Sequence, residues 1–422
     1  MSLARLCRSV TIMVTLLAGL AWPVAARDFV VTTFGAVGDG ATLNTSAIQT
    51  TIDAAAAHDG GGRVVIPAGT FRSGSLFLRP DVELHLAADA VLLGSDNIAD
   101  YPKRNTRIEG HFEPWRLALI NATRMDGVKL TGPGRLDGNG RVFWETFWQR
   151  RRENSRLTNL DVERPRLVFI DRCTNVEVRE LTFQDSGFWN LHLYNCRDVL
   201  VEKVSFSAPG REAAVSAPSS DGIDVDSCQD VIIRGCTFAV NDDCIALKGS
   251  KGPLADHDAD SPPVENILVE DCTFLKGHGV LTCGSEATVV RNVTVRNCTV
   301  RGNINLVRLK LRPDTPQHYA DLTYENIILA GEGRLFDINP WRQFFDLQGQ
   351  PPPRRRVSGI VLRNISGNYG TPGRIVGNDG DAIAPIVLDN VHLTFTRPAF
   401  ERAANVRFDV RDATFNDQPV TP

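Results

Sequence analysis

Asn175-Val-Glu-Val-Arg-Glu-Leu-Thr-Phe183 sets the pattern on which the rest of the chain is read. Apolar residues at its second and fourth positions, with other residues between them, describe a strand with one face turned inward. The same nine-residue template recurs from Asp198, Asp230, Asn266, Asn292 and Asp321. Each copy opens on Asn or Asp, carries a charge at position five and has an apolar residue or Cys at position seven. The starts lie 23, 32, 36, 26 and 29 residues apart, a period that suits solenoid coils joined by loops of unequal length. The pattern therefore predicts an all-β chain wound as a parallel β-helix.

Position five tests the stacking. It reads Arg179, Glu202, Arg234, Glu270, Arg296, Glu325, and a weaker seventh copy offers Arg363. Stacked strands lie about 4.8 Å apart, and like charges directly opposite one another are destabilising, so coils in register favour strict alternation. Position seven gives a second ladder of similar volume: Leu181, Val204, Cys236, Cys272, Cys298, Ile327. Cys173, Cys196 and Cys228 form a third, two residues before their templates.

Outward from the repeat, Asn44 or Thr45 is expected to cap a short helix through about Ala57, with Ile48 and Ile52 on one face. Such a helix would cover the amino-terminal end of the solenoid. Beyond about Arg397 the template fades, and that tail is expected to cap the other end. Residues 1–26 read as a secretory signal: Arg5 and Arg8, an apolar run from Val10 to Ala21, and Val24-Ala25-Ala26 as cleavage site. Residues 27–422 are then one exported β-helical domain, in the periplasm or the medium.

No later stretch is long and apolar enough to span a bilayer. A net charge of −4 with scattered Lys and Arg argues against a nucleic-acid surface. Eight cysteines follow the signal, which leaves disulfides open, although their ladder positions favour buried thiols. No close Cys or His pairs are grouped as zinc ligands, and neither metal nor cofactor is expected. A monomer is expected.

Unusual polar residues gather after the templates: Asp221 and Asp224, Asp242 and Asp243, Gly277-His278-Gly279, then Arg308 and Lys310. Asp242 and His278 each sit twelve residues after their template start, which places them side by side on successive coils. Three carboxylates, a histidine and two cations suit hydrolysis of a glycosidic bond in an acidic polysaccharide: one carboxyl protonates the leaving oxygen, and another activates water or attacks. Crowded carboxylates hold at least one proton among them. Arg308 and Lys310, two apart on a strand, face one side and are placed to clamp a substrate carboxylate. Asp242 and Asp243 are neighbours, so both reach the cleft only if the backbone bends there. Asp224, Asp226, His192 and His257 are expected to be structural or solvated.

These blocks resemble glycoside hydrolase family 28, the polygalacturonase family. Its ordered motifs appear here as Ser219-Ser220-Asp221-Gly222, Asn241-Asp242-Asp243, Gly277-His278-Gly279 and Arg308-Leu309-Lys310, with further likeness at Phe34–Gly40 and Gly61–Pro67. The resemblance runs from about residue 33 to residue 340. It implies a right-handed β-helix and inverting, metal-independent hydrolysis. Asp242 would be the general acid, Asp221 and Asp243 would hold and activate water, and His278 would tune the acid. Arg308 and Lys310 would bind the galacturonate carboxylate on the leaving-group side. Ser219-Ser220, Asn241 and Leu309 depart from the usual motifs and bear on the sugar across the bond, so a rhamnogalacturonan-directed hydrolase is the alternative within the family. From other classes, a calcium-dependent pectate lyase and a non-catalytic carbohydrate-binding solenoid are the alternatives. Stretches 101–122, 141–165 and 207–219 are expected to wall the cleft and favour exo cutting, with Trp115, Trp144, Trp148 and Trp189 either stacking on sugars or anchoring those loops.

Overall fold

The computed structural model describes residues 27–209, 215–343 and 345–422; the secretory signal expected in residues 1–26 lies outside them. The chain winds as a right-handed parallel β-helix in which a typical coil contributes three strands. One coil runs Leu191–Tyr194, Arg197–Glu202 and Ser205–Ser207, and the next runs Ile223–Asp226, Gln229–Arg234 and Thr237–Ala239. The first strands of successive coils stack into an eleven-stranded, wholly parallel sheet from Leu76–Phe77 to Phe400–Arg402. The second and third strands build two further walls, which long strands such as His318–Ala330 join into one sheet.

The template explains itself in the backbone. Position one is left-handed in all six copies, with φ between 51° and 60°, and position six is left-handed again, between 54° and 64°. Asn and Asp tolerate that conformation at low cost, whereas most side chains lose about 1–2 kcal/mol. Hence the Asn or Asp that opens every copy. The weaker seventh copy has Gly359 there, at φ 66°. Side-chain amides also bond along the corners, Asn266 to Asp230 at 2.8 Å and Asn364 to Asn326 at 2.9 Å.

The charge ladder forms in register from Arg179 to Arg363. Arg179 donates to Glu202 at 3.0 Å, and Glu270 takes Arg234 at 2.6 Å and Arg296 at 2.7 Å. Asp389 continues it by one coil, 3.1 Å from Arg363. Inside, the position-seven residues are all buried, beside a column of Phe183, Phe206, Phe238 and Phe274 whose ring centroids lie 5.0 to 5.1 Å apart. All eight cysteines of the described residues are buried free thiols, so the ladder reading holds for them and the disulfide alternative does not.

Helix α1 (Thr45–Ala56) buries Ile48 and Ile52 against the core as expected. The cap differs: the Asn44 amide is engaged with the backbone of Val37 and makes no side-chain cap. At the other end the coils persist past Arg397. The strand Phe408–Phe415 stacks on Ile386–Phe395 before the chain turns back antiparallel at Gln418–Pro419. The fading template there reflects exposed, charged outer positions on a strand whose inner positions still pack.

Candidate active site

The eleven-stranded sheet carries the chemistry. Asp221 precedes the strand Ile223–Asp226, Asp242 and Asp243 precede Ile245–Lys248, His278 precedes Gly279–Cys283, and Arg308 and Lys310 lie within Asn305–Leu311. Four consecutive coils therefore supply all six residues singled out in the sequence. The bend needed to turn both neighbouring aspartates into the cleft is present, because residues 241–244 lie outside regular strand. Donor atoms of Asp242, Asp243 and His278 fall within 4.8 Å of one another.

Each group has a distinct environment. Asp242 meets the His278 ring at 3.0 Å from Nδ1. The imidazolium, joined by Lys310 and Arg308, outweighs burial and holds Asp242 below the ordinary carboxylate range; reciprocally, Asp242 raises His278. Asp243 is 1% exposed, takes a hydrogen bond from Lys310 Nζ at 2.8 Å and has Arg308 Nη1 at 3.6 Å. These cations overcome its burial and keep it ionised. Asp221, 4% exposed, is instead raised well above the usual range, by burial first and then by Asp242 and Asp224.

Crowding thus does place a proton among the carboxylates, but in the free protein it favours Asp221 over Asp242. Lys310 also differs from expectation. It shares a face with Arg308, yet its ammonium is held by Asp243 and lies 4.8 Å from the Trp341 ring. Asp242, Asp243 and His278 are the one three-ligand group among the described residues; Lys310 and Arg308 set beside it oppose a cation there.

Several residues escaped the sequence reading. Lys248, buried beneath the site, stands 3.6 Å from Asp221, 3.5 Å from Asp224 and 3.7 Å from Glu286. Asp224 is accordingly no isolated turn residue: it is fully buried beside the site, and desolvation raises it to about 7. Asp226 is structural as expected, bound by buried Arg107 at 2.9 Å. His192 is packed and driven down to about 3 by burial, and His257 is exposed. Asp337 lies in register with Arg308. It could have been found by counting, since each sits sixteen residues after its template start. Lys248 could have been found in the same way, since it and Lys310 each sit eighteen residues after their template start.

The expected insertions interlock. A hairpin of Lys103–Ile108 and His111–Arg116 lays Arg107 along the ends of the site strands, and its tip, Gly110 at φ 80°, packs so tightly that a Cβ would meet Glu286 and the Gly249 carbonyl at 2.9 Å. The tryptophans are anchors: the indole N–H of Trp115 donates to the Arg164 carbonyl, that of Trp144 to Ser186 and that of Trp148 to Ser216, at 2.7 to 3.1 Å. Trp189 is buried in the same packing. Trp115, Trp144 and Trp189 are buried and offer no open ring face for a sugar, and Trp148 is part-buried. On the other side, a groove of about 800 Å³ opens from His278 toward the carboxy-terminal coils.

Residues 63–411 match the profile of the family described as "Glycosyl hydrolases family 28". The chain belongs to that family. This family 28 hydrolase is 30% identical over 374 residues to a probable polygalacturonase of Vitis vinifera, covering 85% of this chain and 72% of that one. It is 27% identical to an exopolygalacturonase of Zea mays, covering 82% and 78%. The hyperthermoactive exopolygalacturonase of Thermotoga maritima shares the fold, with a TM-score of 0.73 over 92% of both chains at 23% identity. The hydrolase is thus a glycosidase, and the lyase and non-catalytic alternatives fall away.

Proposed function

We propose that this family 28 hydrolase cleaves a pectic polymer at bonds whose leaving-group sugar is galacturonate, working inward from chain ends. The observation that carries the reading is the trio Asp242, Asp243 and His278, within 4.8 Å of one another and faced by Arg308 and Lys310. Acids and cations on one wall fit an anionic sugar and a reaction that moves protons.

Asp242 acts as the general acid, with its proton stored on His278 as an N–H donated to the carboxylate. A substrate carboxylate settling on Arg308 neutralises one of the cations that depress Asp242, which raises its affinity for that proton when the leaving oxygen is in place. Asp243, kept ionised by Lys310, is the base, and Asp221 orients the attacking water from the other side. Arg308 takes the carboxylate directly; Lys310 serves it by holding Asp243. Exo action is supported by the hairpin and helix α2 (Arg141–Glu153), which crowd the amino-terminal side and leave the groove open toward the carboxy-terminal coils. The exopolygalacturonases among the relatives point the same way. Such a substrate lies outside the cytoplasm, in keeping with the signal pattern of residues 1–26.

Mass spectrometry of digests of defined homogalacturonan and rhamnogalacturonan oligomers tests the proposal. Saturated monomers released one at a time from homogalacturonan are expected. Internal fragments from the outset would refute exo action, and rhamnose at the new end would move the substrate to rhamnogalacturonan.

A further inference from the structure

One column of the site sheet repeats the logic of the outer charge ladder. Arg308, Asp337, Arg374 and Glu401 stand in register on four successive coils. Asp337 is 3% exposed and anchors three guanidiniums: Arg374 at 2.8 Å, Arg334 at 3.5 Å and Arg308 at 3.8 Å. One buried carboxylate cannot neutralise three cations. Arg374 and Arg334 keep 38% and 47% of their side chains exposed, so their free N–H groups face the groove while Asp337 holds them from below. The groove walls carry Lys276, Arg308, Arg334, Arg374 and Arg397 against only Glu332 and Asp337. Parallel strands lie about 4.8 Å apart, which sets Arg374 about 10 Å beyond Arg308 along the solenoid.

We infer that Arg334 and Arg374, fixed by Asp337, form a second carboxylate-binding subsite, which holds a uronate beyond the one at Arg308 and so selects longer, unesterified polyanionic chains. The inference rests on the proposed pectic substrate and adds length and charge selection to it. Guanidinium pairs are suited to the task because they meet a carboxylate with paired donors. Asp337 is a positioning residue: it touches no substrate but orients Arg308 and the distal pair together.

The test is steady-state hydrolysis of oligogalacturonates from dimer to pentamer by the wild type, Arg374→Gln, Arg374→Lys and the Arg334→Gln/Arg374→Gln double variant, each checked for an unchanged melting temperature. The wild type should gain affinity as chains lengthen. The double variant should lose that gain, its KM on tetramer rising about tenfold while dimer changes by less than twofold, and Arg374→Lys should fall between. A wild-type tetramer methyl-esterified at its distal carboxylates should imitate the double variant. Equal KM changes at every length, or no penalty for esterification, would overturn the subsite and leave the proposed activity standing. Failure of the wild type to cut any galacturonate oligomer would overturn both.

Discussion

Replacing Lys310 by Met removes a charge while keeping an unbranched side chain of similar reach, and it isolates what the ammonium does for Asp243. The carboxylate is 1% exposed and receives the Lys310 hydrogen bond at 2.8 Å, with Arg308 farther off at 3.6 Å. A cation at that range lowers an acid by about 1–3 pKa units, so loss of the nearer one should lift Asp243 by about 2 units, or about 2.7 kcal/mol. If Asp243 must be ionised to activate water, the acidic limb of log kcat against pH moves up by the same amount. Below that limb the variant should be about a hundredfold slower than the wild type. The assay is reducing-sugar release from polygalacturonate between pH 3 and 8, read as kcat so that weaker substrate binding does not intrude.

Stability gives an independent sign. In the wild type the depressed Asp243 contributes stability above the ordinary value of 3.8 and loses it as pH falls through the lower folded value. In the variant only Arg308 at 3.6 Å still favours the buried carboxylate, so the stability supplied by Lys310, about 2.7 kcal/mol, is missing near neutrality and the deficit shrinks as the pH drops. An acidic limb that stays in place in a folded, active variant would refute the assignment of Asp243 as the base.

His278→Gln removes the proton store beside Asp242; because Asp242 holds His278 above its ordinary value, the alkaline limb of kcat should shift to lower pH, and an unmoved limb would free His278 from that role. Asp242→Asn should reduce kcat by about a thousandfold or more with the melting temperature held within about 2 °C, the scale expected of a lost general acid. On the outer wall, Glu270→Gln breaks two guanidinium contacts of a buried carboxylate and should cost about 2 kcal/mol in urea unfolding. Arg363→Gln, 44% exposed, should cost under about 1 kcal/mol.

The wall of the solenoid was legible because its physics is periodic. Alternation, corner Asn and Asp, and opposed charges repeat in every coil, so each copy supports the others. The site residues were legible in part for the same reason, Asp242 and His278 through their equal offsets. What escaped is which side chains meet across coils and loops. Lys248 gathers Asp221 and Asp224 from the coil before it and Glu286 from the coil after it, and the hairpin tip at Gly110 meets Glu286 from 176 residues away in sequence. No local pattern encodes such meetings. The tryptophans illustrate the same limit, since an indole on a wall loop reads alike whether its N–H finds a sugar or the carbonyl of Ser186.

The single left-handed residue at position six has a consequence for how such a molecule can change. Every described coil from Arg179 to Asn326 turns that corner with one residue, while the stretches of variable length follow Ser207, Lys248, Leu311 and Pro340, where strands end at the two borders of the site sheet. An extra residue at the corner would slip the next strand by one and turn its apolar face outward. An extra loop at a border costs only closure entropy, about 0.6 kcal/mol for each doubling of length. New substrate preferences can therefore be grafted onto the rims of this cleft by insertion, while the opposite edge acts as a fixed spine that tolerates substitution but not a change of length.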